Sequence, residues 1–280
     1  PYFQALGNGL VSAGITGEAK VIDDYTERAR VPADGSFDAA RERLIALCRG
    51  AHQMLGRGDL GAADALIEAA NEAALGDVVS IAWRETTAAA RALHAGNVSV
   101  YLDHTAAAVQ AYDQAGAQRH ASNQRVRLGY GWMEIGALEE AQAALTIARE
   151  SSRRLGLSFV EGFALQNLGW ATAQLGDLDA GRALQLEALE LGKRLSSPPL
   201  LGGAYFYLSR IAERSGDTAG ALDAAERALE AVEGIPPLRP LCLAANALAL
   251  HGLGHEDAAT CAREATDANG ALVGLPPIHI

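Results

Sequence analysis

The chain has 280 residues, 49% of them hydrophobic, enough to bury a large core, and its formal net charge of −11 argues against a nucleic-acid binder. Three cysteines, Cys48, Cys242 and Cys261, are too few and odd in number for a disulfide scaffold, which predicts a reducing compartment. With neither an apolar run of about 18 residues nor a basic-then-apolar leader, no membrane partner is expected, and the expected location is cytoplasmic.

The first element is a helical hairpin over residues 1–30. Leu6-Gly7 stands seven residues before Gly14, as Leu168-Gly169 stands before Gly176. Residues 31–37, "VPADGSF", read as a loop insertion, because the step from Gly14 to the next turn glycine, Gly58, is 44 residues. From there glycines recur at Gly58, Gly96, Gly136, Gly176, Gly216 and Gly254, at steps of 38, 40, 40, 40 and 38. A period in that range marks a stacked helical array, here six hairpins over residues 38–275.

Each turn glycine closes one apolar-periodic segment and precedes another. Leu165, Leu168, Thr172 and Leu175 line up before Gly176, and Leu184, Ala188, Leu191 and Leu195 after it, at helical spacing. Gly176 suits a left-handed residue closing the first helix, and Asp177 suits the N-cap of the second. The same dipeptide recurs as Gly58-Asp59 and Gly216-Asp217. Pro pairs at 198–199, 236–237 and 276–277 suit the approach to a helix or its first turn. Residues 276–280 therefore read as the start of a truncated repeat, and the chain as a fragment of a longer protein. Val, Ile and Thr are sparse and nothing alternates, so the predicted class is all-α.

The pattern Leu168-Gly169, Gly176, Leu178, Ala188-Leu189 resembles the tetratricopeptide repeat, and partial versions stand at Leu128-Gly129, Trp132, Gly136, Leu138, Ala141 and Ala148 and at Ala212, Gly216, Ala221 and Ala228-Leu229. The period departs from that family's 34 residues toward about 40, which implies longer helices. This longer form resembles the C-terminal helical arrays of large bacterial signalling ATPases that activate transcription and of multidomain serine/threonine kinases. The resemblance implies a right-handed α-solenoid of about seven antiparallel helix pairs, a single superhelical domain over residues 1–280. It says little about function, since such repeats bind many unrelated partners.

Charge is distributed unevenly along the repeat. The predicted first helices, 1–13, 39–57, 79–95, 118–136, 157–176, 199–216 and 238–254, hold 12 Arg against 5 Glu, a net of +7, which leaves −18 for the rest of the chain. Acids near helix N-termini explain Asp177 and Asp179 but not Glu187, Glu190, Glu226 or Glu230. In the family resembled, first helices line the concave groove, which implies a basic groove on an acidic protein. Of 15 aromatic residues, 11 lie in those same helices. Trp132 and Tyr205 are in phase with packing leucines and read as core. Mapping the family's groove positions onto this chain selects Arg49, His52, Trp83, Asn123, Arg127, Tyr130, Phe163, Gln166, Asn167, Trp170, Phe206 and Arg210. Amides hold an extended backbone, rings cover side chains, and guanidinium pairs with carboxylate or phosphate. A buried ring contributes up to about 4 kcal/mol at about 25 cal/mol/Å². An exposed ion pair contributes about 0–1 kcal/mol, so rings would set affinity and arginines orientation.

Motifs of other chemistries are weak or missing. Arg57-Gly58-Asp59 sits at a repeat turn, and Asn97-Val98-Ser99 is a glycosylation triplet by spelling only. "GITGEAK", Gly14 to Lys20, lacks the glycine spacing and the terminal Gly-Lys-Ser/Thr of a phosphate loop. Cys242, His251, His255 and Cys261 contain a pair of histidines four apart, but Gly252 and Gly254 interrupt the helix between them and no Cys-x-x-Cys is present, so no metal and no cofactor is expected. The expectation is a non-catalytic recognition module of a bacterial signalling protein, binding an acidic or carboxylate-bearing protein or peptide, or docking on its own protein's catalytic domain. The alternative is a sensor for a small molecule or signal peptide that controls an attached ATPase, kinase or transcription regulator. Self-association through truncated ends is also expected.

Overall fold

The computed structural model describes residues 2–33, 35–73, 75–233, 235 and 238–270. The Pro pairs at 236–237 and 276–277 and the segment 276–280 lie outside them. Among the described residues there are fourteen helices and no strand. In chain order they are α1 (Tyr2–Thr16), α2 (Ala19–Arg30), α3 (Phe37–Gly56), α4 (Leu60–Glu72), α5 (Val78–His94), α6 (Val98–Gln114) and α7 (Gln118–Glu134). There follow α8 (Leu138–Arg154), α9 (Ser158–Gln174), α10 (Leu178–Arg194), α11 (Pro198–Ser215), α12 (Thr218–Ala231), α13 (Arg239–Gly252) and α14 (Ala258–Gly270). None of them is long and apolar enough to cross a membrane.

The turns follow from a few residues. At Gly176, φ is +107°, a conformation that costs an L side chain about 1–2 kcal/mol. The Gly176 amide donates to the Ala173 carbonyl and the Asp177 amide to the Thr172 carbonyl, closing α9. The Asp177 carboxylate then accepts from the Ala180 amide at 2.9 Å and opens α10. Asp59 and Asp217 cap α4 and α12 in the same way. At the head of α11, Ser197 is the N-cap and Pro198-Pro199 occupy the first turn. A second left-handed series, Gly116, Gly156 and Ser196, joins one hairpin to the next at steps of 40, and the sequence reading missed it. Phe37 belongs to α3 and not to the preceding loop, because Ser36 caps the helix just before it.

The described residues fall into two compact units, one up to Gln124 and one from Arg125 on, with the division inside α7. In the first, α1, α3 and α5 pack side by side, while α2 and α4 pack against the helices before and after them. In the second, α9, α11 and α13 pack side by side, and α10 and α12 sit between sequence neighbours. Odd-numbered helices thus form one layer of each unit.

Cores are local. Leu10, Leu44, Leu47 and Leu66 are fully buried together in the first unit. In the second, Leu165, Ala188, Leu189 and Ala204 make one cluster and Leu145, Ala164 and Ala171 another. Small residues let backbones approach: a Cβ on Gly181 would stand 2.6 Å from the Gly169 carbonyl oxygen. Leu175 departs from the expected packing face and is 39% exposed, because it is the C-cap where α9 has ended.

Candidate functional site

The odd-numbered layer carries a cluster of side chains in each unit. In the first, Asp77 caps α5 by accepting from the Val79 and Ser80 amides at 3.1 Å, which fixes the helix that carries Trp83. Arg49 of α3 lies with its guanidinium 5.2 Å from the centre of the Trp83 ring. Its Nη1 donates to Asn8 Oδ1 at 2.8 Å. α1 comes this close because residue 7 is glycine: a Cβ there would stand 3.0 Å from Nη1. His120 meets the Trp83 ring edge-on at 5.7 Å and stacks on Tyr112 at 5.0 Å. Burial lowers the His120 pKa, with the Arg49 charge adding to it. Burial likewise lowers that of Arg49, opposed by Glu42.

In the second unit the odd helices surround a cavity of about 320 Å³. Tyr130 and Glu134 come from α7, Trp170 and Gln174 from α9, and Phe206 and Tyr207 from α11. Trp170 and Tyr207 stack with ring centres 5.7 Å apart, and Arg214 lies 5.9 Å from the centre of the Trp170 ring. The Tyr207 phenol donates to Asn167 Oδ1 at 3.4 Å. Burial, with the Glu134 carboxylate nearby, holds the Tyr207 pKa far above the usual phenol range, so it stays a donor. The Glu134 carboxylate stands among the rings that line this cavity, with the Arg214 guanidinium on the Trp170 ring.

The expected site residues therefore separate. Arg49 and Trp83 come together, as do Tyr130, Trp170 and Phe206, with Asn167 joined through Tyr207. Phe163 shares a face of α9 with Asn167 and Trp170 and packs against the cluster of Leu168 and Ala171. Asn123 and Arg127 lie four apart on α7, the former exposed and the latter half-buried. His52 is turned back on its own helix, Nδ1 lying 2.8 Å from the Cys48 carbonyl oxygen. Gln166 is corrected: it is fully buried, and its Nε2 donates to the Leu200 carbonyl at 2.5 Å. It sits on the α9 face that packs against α11, so it ties helices together and cannot reach a ligand.

Arg210 is also corrected, since it pairs with Glu213 on its own helix at 2.9 Å and its charge is locally neutralised. Much of the positive excess of the first helices goes the same way. Arg41 pairs with Asp38, Arg57 with Asp23 and Arg91 with Asp64. Arg43 donates to the carbonyls of Arg30 and Val31, and Arg84 to that of Leu75. Acids of the even helices have partners too: Glu187 pairs with Arg149 and Glu190 with Lys193. The sequence reading missed His120, Tyr112, Glu134 and Tyr207. Tyr112 lies on α6, outside the first helices it examined, and Tyr207 is adjacent to the favoured Phe206.

The Cys and His residues of α13 and α14 do not converge. Cys242 is buried in the core with Leu238 and Val232, and Cys261 Sγ lies 3.4 Å from the Leu243 carbonyl oxygen. His251 and His255 line an open, largely apolar cleft of about 900 Å³ between α13 and α14. Among the described residues no group of three or more His, Cys, Asp or Glu is placed to hold a metal ion.

No protein-family model matches the chain, and no curated protein matches it in sequence. Solved structures do match. Aspartyl phosphate phosphatase F from Bacillus subtilis superposes with a TM-score of 0.65 at 13% identity, covering 84% of this chain and 62% of its own. A Rap protein complexed with Competence and Sporulation Factor gives 0.58 at 13% identity, covering 97% of this chain and 98% of its own. The signal transduction ATPase with a tetratricopeptide repeat sensor from Pyrococcus horikoshii gives 0.62 at 10% identity over 94% of this chain and 42% of its own. The chain has the fold of a tetratricopeptide-type repeat array. It spans 62% of the length of the phosphatase and 42% of that of the ATPase. At such identities the likeness establishes the fold of the array alone.

Proposed function

We propose that this tetratricopeptide-type array is a non-catalytic recognition module of a cytoplasmic bacterial signalling or regulatory protein, binding a peptide or protein segment against its odd-numbered helices. The observation that carries the reading is the cavity walled by Tyr130, Trp170 and Phe206, with the buried Asn167 amide behind it. A volume of about 320 Å³ suits one or two side chains of a segment and is at the lower limit for a drug-sized ligand. The likeness to a Rap protein complexed with Competence and Sporulation Factor supports a bound factor as the ligand. The ligand is expected to carry an acidic or carboxylate group. The segment could equally belong to a catalytic domain of the same protein.

The test is selection from a displayed peptide library, followed by calorimetric titration of the best binder. Tyr130→Ala and Phe206→Ala should each weaken binding at least about tenfold, the equivalent of about 1.4 kcal/mol. Unchanged affinity in both variants removes the cavity as the site.

A second reading, a sensor that binds a small molecule or signal peptide to control an attached ATPase, kinase or transcription regulator, is favoured by the enclosure of one aromatic cavity by three successive odd helices. It is supported by the likeness to an ATPase with a tetratricopeptide repeat sensor. A specific rise in melting temperature with a metabolite and no protein partner distinguishes it.

A further inference from the structure

Among the arginines of α3 and α5, Arg49 has an unusual set of partners. Arg41, Arg57 and Arg91 each meet a carboxylate, and Arg43 and Arg84 each meet backbone carbonyls that they cap. Arg49 is half-buried, yet its hydrogen-bond acceptor is a neutral amide, Asn8 Oδ1. Its Nε is buried without an acceptor, and one face of the guanidinium is covered by Trp83. An arginine so placed has a donor that meets neither water nor an acceptor, and Glu42 offsets the burial of its charge only in part, which is costly for a protein that folds for stability alone. The indole it covers also meets His120, whose ring packs against Trp83 and Tyr112 while the residue keeps a side open to solvent.

We propose that Arg49, Trp83 and His120 form a subsite for one oxyanionic group, a carboxylate or a phosphate, of a segment bound to the first unit, taken by the Arg49 guanidinium with a proton drawn onto His120. This rests on the reading that the odd helices bind a segment. The groups facing His120 are Arg49 from α3, Trp83 from α5 and the Tyr112 phenol from α6, with Arg119 before it on α7. None of these is an acid. In the free protein burial and Arg49 disfavour the charged imidazole. An oxyanion between them reverses the balance, so binding takes up a proton and tightens as pH falls through the His120 titration.

The test uses free anions, so its outcome does not depend on finding a peptide. The His120 ring is titrated by proton NMR in sodium acetate, in sodium methyl phosphate and in sodium chloride at equal ionic strength, with the resonance assigned by its loss in His120→Gln. The expected result is a His120 pKa higher by at least about half a unit in an oxyanion than in chloride, and no such difference in Arg49→Gln. A response to acetate alone assigns a carboxylate, and one to methyl phosphate alone a phosphate. Acetate affinity, followed at the Trp83 indole N–H, should fall about threefold between about pH 5.5 and about pH 8, where acetate itself stays ionised, and become independent of pH in His120→Gln. Equal titrations in all three salts, or a shift that persists in a folded Arg49→Gln or Arg49→Lys protein, overturn the proposal.

Discussion

Tyr207 stacks on Trp170 with ring planes 21° apart and, from the same ring, donates its phenol proton to Asn167. The pair couples a ring of the cavity wall to a buried amide on α9, so the wall cannot move without breaking a hydrogen bond. Tyr207→Phe keeps the stack and leaves the Asn167 oxygen without its donor. The expected loss is about 1 kcal/mol of stability, read from urea unfolding. Tyr207→Ala, which also removes the stack and opens a hole, should lose about 3–5 kcal/mol.

Glycine replacements should divide by the space available to them. Gly181→Ala forces a methyl against the Gly169 carbonyl and the Ala173 side chain, at 2.6 and 2.8 Å. The expected cost is about 1–3 kcal/mol. Gly56→Ala, at a helical position where an added Cβ meets nothing within 4 Å, should instead stabilise by about 0.4–1 kcal/mol. Paired thermal melts of the two variants against the wild type give the signs directly.

Acidification should act on the first unit in two stages. His94 and His120 both titrate below the ordinary imidazole value of 6.5, each through burial first and a neighbouring arginine second. The unfolded chain therefore takes up their protons first, and the stability they contribute is present above about pH 6.5 and is lost below it. Asp64 and Asp77 titrate below 3.8, Asp64 through its hydrogen bond from Arg91, and Asp77 because hydrogen bonds from Ser80 and Val79 outweigh a burial that would raise it. Their contribution is lost in a second, more acidic window. Amide exchange in α5 and α6 measured across both windows should show two steps, the first diminished in His94→Gln.

The thiols should react unequally. Burial pushes Cys48 up to about 11 and Cys242 up to about 12, and neither is exposed. Cys261 is half-buried, with a smaller rise caused first by burial and then by Glu264. A disulfide reagent at neutral pH should modify Cys261 first, with the other two following only at the rate of local opening. Rapid modification of all three in the native protein would contradict the packing described for α3 and α13.

The helices were legible because their signals are local and redundant. Gly176 and Asp177 are adjacent in sequence, and the chemistry of each fixes one side of the same turn. Gly116, Gly156 and Ser196 escaped notice because the third member is not glycine, so the series shows only as backbone conformation. The site was less legible because a helical position fixes a face and not a partner. Gln166 and Asn167 are neighbours of the same chemical type, yet one is committed to the Leu200 carbonyl and the other reaches the Tyr207 phenol behind the cavity. Arg49 and Arg210 looked alike, but Glu213 lies one turn from the second, while the first donates to the neutral amide of Asn8. The charge excess of the first helices was real as arithmetic and weak as a guide, since several of those arginines brace loops and neighbouring helices or pair within their own helix.

Within each unit, the helices described above pack on their first and second neighbours along the chain. Packing of this kind is local, so within a unit fraying at one hairpin need not dissolve another a few turns away. Whatever lodges between α7, α9 and α11 would act as a rivet, raising the cost of unzipping those hairpins and leaving the others as loose as before.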